Sequence, residues 1–181
     1  MDAQERKALV RQYRDGHRAV VEALRGLKDD ELDRSASNEW TPRTIVHHLA
    51  DSEMTSAIRL RRLIAEDDPL IQGYDEAQFA SRLTTDRPIE PSLEAMRWAR
   101  ESTAQILERL TADRPIEPSL EAMRWARETC GQLLERMTEA DWNIAGRHTE
   151  SGRYTTEDWL RIYAGHAHEH AAQIQRSRGR S

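Results

Sequence analysis

The sequence predicts an all-α fold in which one helix has been duplicated. Three observations carry this reading. Valine occurs four times and phenylalanine once in 181 residues, so runs of strand-forming composition are missing. Apolar residues recur instead at helical spacing. And residues 82–101, RLTTDRPIEPSLEAMRWARE, return at 109–128 with nineteen of 20 positions identical. Removing one copy of the repeat (82–108 and 109–135) leaves roughly 150 residues, the size of one ordinary domain. A tandem pair is too short for a solenoid, which needs about three units. Residues 1–181 therefore read as a single helical domain carrying a local duplication.

The elements follow in order. The first helix, 3–27, puts Leu9, Tyr13, Val20, Leu24 and Leu27 on one stripe. The second, 42–66, carries Ile45, Leu49, Leu60 and Leu63. Its start is well marked: Thr41 can cap, Pro42 takes the first helical position, and Trp40 can staple against Ile45. A long connection, 67–91, contains Pro69, Gly73, Pro88 and Pro91 and reads as a crossover. The repeat supplies two near-copies of one helix, 92–110 and 119–137, each entered through Arg-Pro-Ile-Glu-Pro. Their stripes are Leu93, Met96, Ala99, Ile106 and Leu110, and Leu120, Met123, Ala126, Leu133 and Met137. Either copy could fill the place of the unduplicated helix; the exit of the second, Met137 to Trp142, resembles the junction of a known family, which makes 119–137 the expected occupant. A second connection, 139–154, leads to a last helix that opens at Thr155 or Thr156, where Thr155-x-x-Asp158 has capping-box spacing, and runs to about Gln175.

Composition excludes several classes. The chain is 33% charged with a formal net charge of −5, and no window has the apolar length of a membrane span. The polar start, MDAQERKALV, is no secretory signal, so a cytoplasmic location is expected. Of 27 basic residues 25 are arginine, but they form no basic stripe, and nucleic acid is not an expected partner. Cys130 is the only cysteine, which excludes an internal disulfide and a cysteine-rich zinc site.

The chemistry lies in the histidines. His166, His168 and His170 stand in the last helix, and the i, i+4 pair His166 and His170 shares a face with Trp159, Tyr163 and Ile174. That stripe is expected to point inward, with His168 toward solvent. Two imidazoles one turn apart suit a divalent metal, and equally a pair of hydrogen-bonded core histidines. On a wheel centred on Leu49, His47 points away from the core, while His48 borders the apolar stripe and can reach inward. Three neutral imidazoles would leave coordination positions open for water or substrate. Glu53 falls inside the apolar stripe of the second helix, where it could orient a histidine, act as a base, or simply bond a neighbouring helix. His17 borders the first helix's stripe and could reach the interior.

The motifs Trp40-Thr41-Pro42, His48-Leu49-Ala50-Asp51-Ser52-Glu53, Gly152-Arg153-Tyr154-Thr155 and His166-x-x-x-His170-Ala171-Ala172-Gln173-Ile174 together resemble the DinB/YfiT-like superfamily of metal-dependent hydrolases. The resemblance implies a four-helix bundle in up-down-down-up order with long crossovers. It implies a zinc or nickel ion held by His48, His166 and His170. Relatives include bacillithiol S-transferases, mycothiol-dependent isomerases and the thiol-handling module of ergothioneine biosynthesis. A hydrolase or thiol transferase acting on a small molecule, such as a low-molecular-weight thiol, is therefore expected. A non-catalytic metal- or ligand-binding stress-response module is the alternative. The 27 extra residues depart from the family pattern, and a homodimer, helix-swapped through the repeat, is the assembly they suggest.

Overall fold

The computed structural model describes residues 3–35, 39–84, 86–108 and 115–178, without the side chains of 172–178. It is helical apart from one small hairpin, in the order α1 (Ala3–Leu24), α2 (Pro42–Ala65), α3 (Glu76–Leu83), α4 (Glu90–Glu108), α5 (Glu117–Leu134), β1 (Ala145–His148), β2 (Gly152–Thr155) and α6 (Thr156–Arg178). The chain divides after Leu133 into two compact units.

In the first unit α2 packs along α4, α1 packs on α4, and the short α3 touches α2. The cap and the Pro42 start of α2 form as the sequence requires. The Thr41 hydroxyl accepts from the Thr44 amide at 3.1 Å, Pro42 opens the helix, and the ring of Trp40 stands edge-on to His48. Arg43, buried at the first turn, donates to Asp33 at 2.8 Å, to Asp29 at 3.0 Å and to the Arg87 carbonyl at 3.1 Å. This one side chain pins the 3₁₀ turn Asp29–Glu31 and the entry of α4 to the same end of α2. Beside it Leu32, Val46 and Ile89 form an apolar cluster, with Val20, Leu24 and Leu93 against it.

The buried face of α2 is not the leucine–isoleucine stripe. Ile45 and Leu63 are exposed, and the face turned to α4 is Arg43, Val46, His47, Ala50, Glu53 and Ala57. Ser92, Ala95, Met96, Ala99, Ser102, Thr103 and Ala104 meet it from α4. Small side chains on both helices allow close backbone approach, and the larger aliphatics are left outside the contact. On α1, likewise, Leu9 is exposed while Tyr13, Val20 and Leu24 are half-buried, and Leu27, expected on the same helix, lies exposed beyond its end.

The expectation that 119–137 takes the native slot is corrected. The first copy, α4, fills it. Met96 is 2% and Ile89 8% exposed, while the equivalent Met123 and Ile116 of the second copy are 49% and 73% exposed. Leu110, expected on the α4 stripe, lies outside the described residues.

Two elements were not anticipated. Within the presumed connection 67–91, Asp75 caps α3 by accepting from the Gln78 amide at 2.9 Å. Within 139–154, β1 and β2 pair antiparallel with Ala145 opposite Thr155 and His148 opposite Gly152. Gly152 sits at φ +77°, the left-handed conformation that closes a three-residue hairpin loop. In this second unit the hairpin's last strand and the 3₁₀ turn Asp141–Asn143 pack on the start of α6. The Thr155 hydroxyl donates to Asp158 at 2.6 Å and accepts from the Asp158 amide at 3.0 Å, while the Asp158 carboxylate also takes the Thr155 amide at 2.9 Å. That is the capping box the spacing indicates. No described helix is long and apolar enough to cross a membrane.

Candidate metal centre

Four sequence-selected residues bear on the site: Glu53, His48, His166 and His170. Glu53 is buried, and both of its carboxylate oxygens are engaged. Tyr13 Oη donates to Oε2 at 2.9 Å, and Arg100 Nη1 bonds Oε1. Arg100 also donates from Nε to the Tyr13 carbonyl at 2.8 Å and lies 4.1 Å over the Tyr13 ring. The three side chains tie α1, α2 and α4 into one polar knot. Burial, then the neighbouring Glu53 charge, pushes the Tyr13 phenol up to about 12. Burial also raises the Glu53 carboxyl, against the pull of the Arg100 guanidinium. Glu53 is accounted for as a tie between helices, and Tyr13 and Arg100, which the sequence did not single out, are its partners.

The wheel position of His47 is corrected, whereas His48 borders the buried face as expected. His47 is fully buried, with Nδ1 bonded to Ser92 Oγ at 2.8 Å. The reason is the phase of α2: the buried face passes through Val46 and Ala50, and His47 lies between them. His48 is half-buried at the edge of that face. Its Nδ1 is shielded from solvent and has no hydrogen-bond partner among the described residues, an unusual state for a ring nitrogen. Burial raises the carboxyl of Asp51, one turn on, with the Arg87 charge and then His48 opposing it.

His166 and His170 are brought together in the second unit. Their Nε2 atoms are 3.2 Å apart, and the rings stand perpendicular at a centroid distance of 4.6 Å. Two nitrogens each about 2.0–2.1 Å from one Zn²⁺ at tetrahedral to octahedral angles are about 2.9–3.4 Å apart. The pair therefore fits bidentate ligation of one metal ion. Tyr163 sits edge-on to His166 at 5.9 Å, and its ring is tilted by 32° against Trp159 at 5.1 Å. Within the second unit both histidines are exposed, as is His168. The hairpin and 3₁₀ turn contact the first turns of α6, burying Thr155 and half-burying Trp159, and the histidines lie two and three turns beyond. The side chains of Gln173 and Ile174, expected on the same stripe, lie outside the described residues.

His48 belongs to the first unit and the His166–His170 pair to the second. Within each unit, no group of three His, Cys, Asp or Glu among the described residues converges as metal ligands. Two other sequence candidates resolve simply. Burial lowers the His17 pKa, and its Nε2 is enclosed without a hydrogen-bond partner among the described residues. Burial raises the Cys130 thiol, the opposite of what a reactive cysteine needs.

The chain is largely helical, with a close histidine pair on one helix and a half-buried histidine on another. The chain belongs to the DinB superfamily, whose family model matches residues 12–174. Among curated relatives, a candidate metal-dependent hydrolase of Oceanobacillus iheyensis is 39% identical over 85 residues, covering 46% of this chain and 49% of the relative. One from Geobacillus thermodenitrificans is 36% identical over 107 residues, with coverages of 54% and 57%. YfiT of Bacillus subtilis, named in the same way, is 38% identical over 74 residues, with coverages of 40% and 41%. The chain spans about half the length of the curated relatives it matches. A solved structure of Bacillus subtilis YfiT, described as having an unusual four-helix bundle topology, aligns with 25% identity and a TM-score of 0.44, covering 100% of this chain and 91% of that one.

Proposed function

We propose that this chain is a metal-dependent enzyme of the DinB/YfiT type, a hydrolase or thiol S-transferase acting on small molecules, with His48, His166 and His170 as ligands of one zinc or nickel ion. The observation that carries the reading is the 3.2 Å approach of the His166 and His170 Nε2 atoms. Support comes from the enclosed, unpartnered Nδ1 of His48 and from the names of the relatives, which assign them metal-dependent hydrolysis. When bound, such an ion lowers the pKa of a coordinated water or thiol and supplies a nucleophile near neutral pH. The chain's own part is to hold neutral imidazoles in place: the α2 cap and Trp40 fix His48, and the helical turn fixes the other two.

Metal content tests the ligands independently of any reaction. Protein purified and dialysed without chelator is expected to carry about one zinc or nickel ion per chain by elemental analysis. His170→Ala and His48→Ala are each expected to lose most of it. Wild-type content well below one ion, or variants that bind as the wild type does, would overturn the assignment. The full engagement of Glu53 favours a second reading, a non-catalytic metal-binding module, because it removes the candidate base from reaction chemistry. Turnover of a low-molecular-weight thiol with an electrophile, abolished in His48→Ala, would reject that reading.

A further inference from the structure

The repeat places one sequence in two environments. Locally the copies are alike. Trp98 Nε1 donates to Glu94 at 3.1 Å and Trp125 Nε1 to Glu121 at 3.2 Å, and Arg97 and Arg124 each lie 4.7 Å over the following tryptophan. Tertiary contacts separate them. α4 is held on α1 and α2 by Ser92 to His47, by Arg100 to Glu53 and the Tyr13 carbonyl, and by Arg61 donating to Ser102 Oγ at 2.9 Å. The second copy carries a group of the same kind at each of these positions: Ser119, Arg127 and Thr129. The first half of its apolar face is left uncovered, with Ile116, Leu120 and Met123 at 73%, 52% and 49% exposure, while Thr129 is buried and Ala126, Cys130 and Leu133 are half-buried.

We propose that α4 and α5 are interchangeable occupants of one slot on α1 and α2, and that the uncovered face of α5 is the surface with which it enters that slot when α4 leaves. The occupant is fixed by the sequence itself: the surface complementary to Leu120 and Met123 is the one already fitted to Leu93 and Met96. The exchange is intramolecular, so neither dilution nor assembly opposes it. α4 is preferred for a definable reason. Ala104, fully buried in the slot, is replaced by Gly131 in the second copy, so α5 would bury one methyl group fewer there, which shifts the balance toward α4 by about fourfold. Exchange also shortens the tether to α6 from residues 109–155 to residues 136–155.

The test uses the full chain and its single cysteine. Cys130 occupies the repeat position of Thr103, which is 3% exposed in the slot. Ala95→Asp places a charge at a buried position of α4, and Ala122→Asp is its counterpart in α5. Ala95→Asp is expected to remain folded and monomeric, with modification of Cys130 by a thiol reagent slowed at least tenfold as α5 takes the slot. Ala122→Asp should leave that rate unchanged, and the double variant should lose cooperative unfolding. The proposal fails if Ala95→Asp is as disrupted as the double variant, or if it folds with Cys130 still reacting at the wild-type rate. It also fails if sedimentation shows that folding is rescued only in a dimer, since the slot would then be filled by a second copy.

Discussion

Replacing Glu53 with alanine tests the polar knot directly. Glu53 sits on α2, so the loss is the same whichever repeat copy supplies the arginine. The side chains of Arg100 and Glu53 are 13% and 10% exposed, so the guanidinium left behind cannot fully rehydrate. Removing one partner of such a buried pair costs about 3–5 kcal/mol. Arg100 keeps its bond to the Tyr13 carbonyl, which places the loss near the lower end, about 3 kcal/mol. The Tyr13 hydroxyl loses its acceptor for about 1 kcal/mol more. The expected total is about 4 kcal/mol, a fall in Tm of roughly 8–16 °C for a chain of this size. Urea unfolding followed by circular dichroism measures it. Glu53→Gln, which keeps the shape and one acceptor, should lie between alanine and wild type. A loss under about 1 kcal/mol for Glu53→Ala would refute the knot and show that Arg100 is solvated. Full stability with lost turnover would instead return Glu53 to the chemistry.

The same knot predicts alkaline behaviour and a steric limit. Tyr13 has its folded pKa raised from 10.0 to about 12, so its contribution is complete below pH 10 and is lost as the pH rises from 10 through 12. Discounted for its partial exposure, the loss should be about 1–2 kcal/mol. Urea midpoints across that window would show it, and Tyr13→Phe should lack it; an unchanged profile in Tyr13→Phe would place the alkaline step elsewhere. Gly16, inside α1, leaves room for Arg100: a Cβ there would lie 2.5 Å from Nη2 and 2.8 Å from Cζ. Because Glu53 and Tyr13 hold that guanidinium, Gly16→Ala should destabilise by about 1–2 kcal/mol despite alanine's better helix propensity. A rise in Tm would contradict it.

What could be read from the sequence was what is local. The α2 cap at Thr41 and Pro42, the capping box at Thr155 and Asp158, and the i, i+4 convergence of His166 and His170 depend on neighbours within one turn, and all three form. α3 was missed although its Asp75-x-x-Gln78 spacing is a capping signal, because the prolines around it suggested a connection. The hairpin had no such signal: β1 is exposed at every position and shows no alternation. The face of α2 was misphased because Ile45, Leu49, Leu60 and Leu63 were weighted by hydrophobicity. The actual contact selects for size. Ala50 and Ala57 approach α4 closely enough to bury the His47–Ser92 and Glu53–Arg100 pairs between them. A wheel drawn on hydrophobicity cannot see a groove whose depth comes from small residues on the opposing helix.

The repeat shows the limit most directly, because nineteen of 20 residues are the same and so propensity is the same. Each copy forms its helix and repeats its own Trp–Glu bond and Arg–Trp stack. Ile89 is nonetheless buried and Ile116 exposed. What separates them is which copy meets His47, Glu53 and Arg61, groups more than thirty residues away along the chain. The same division applies to the metal centre. The pair on α6 is local and was legible, whereas the proposed recruitment of His48 would depend on residues far apart in the chain. His48→Ala should therefore weaken metal binding without changing the spacing of the α6 pair. If instead the chain lacking His48 holds its metal as tightly as wild type, the ion belongs to the α6 pair alone, and the unsatisfied nitrogen of His48 must be explained by something other than a metal.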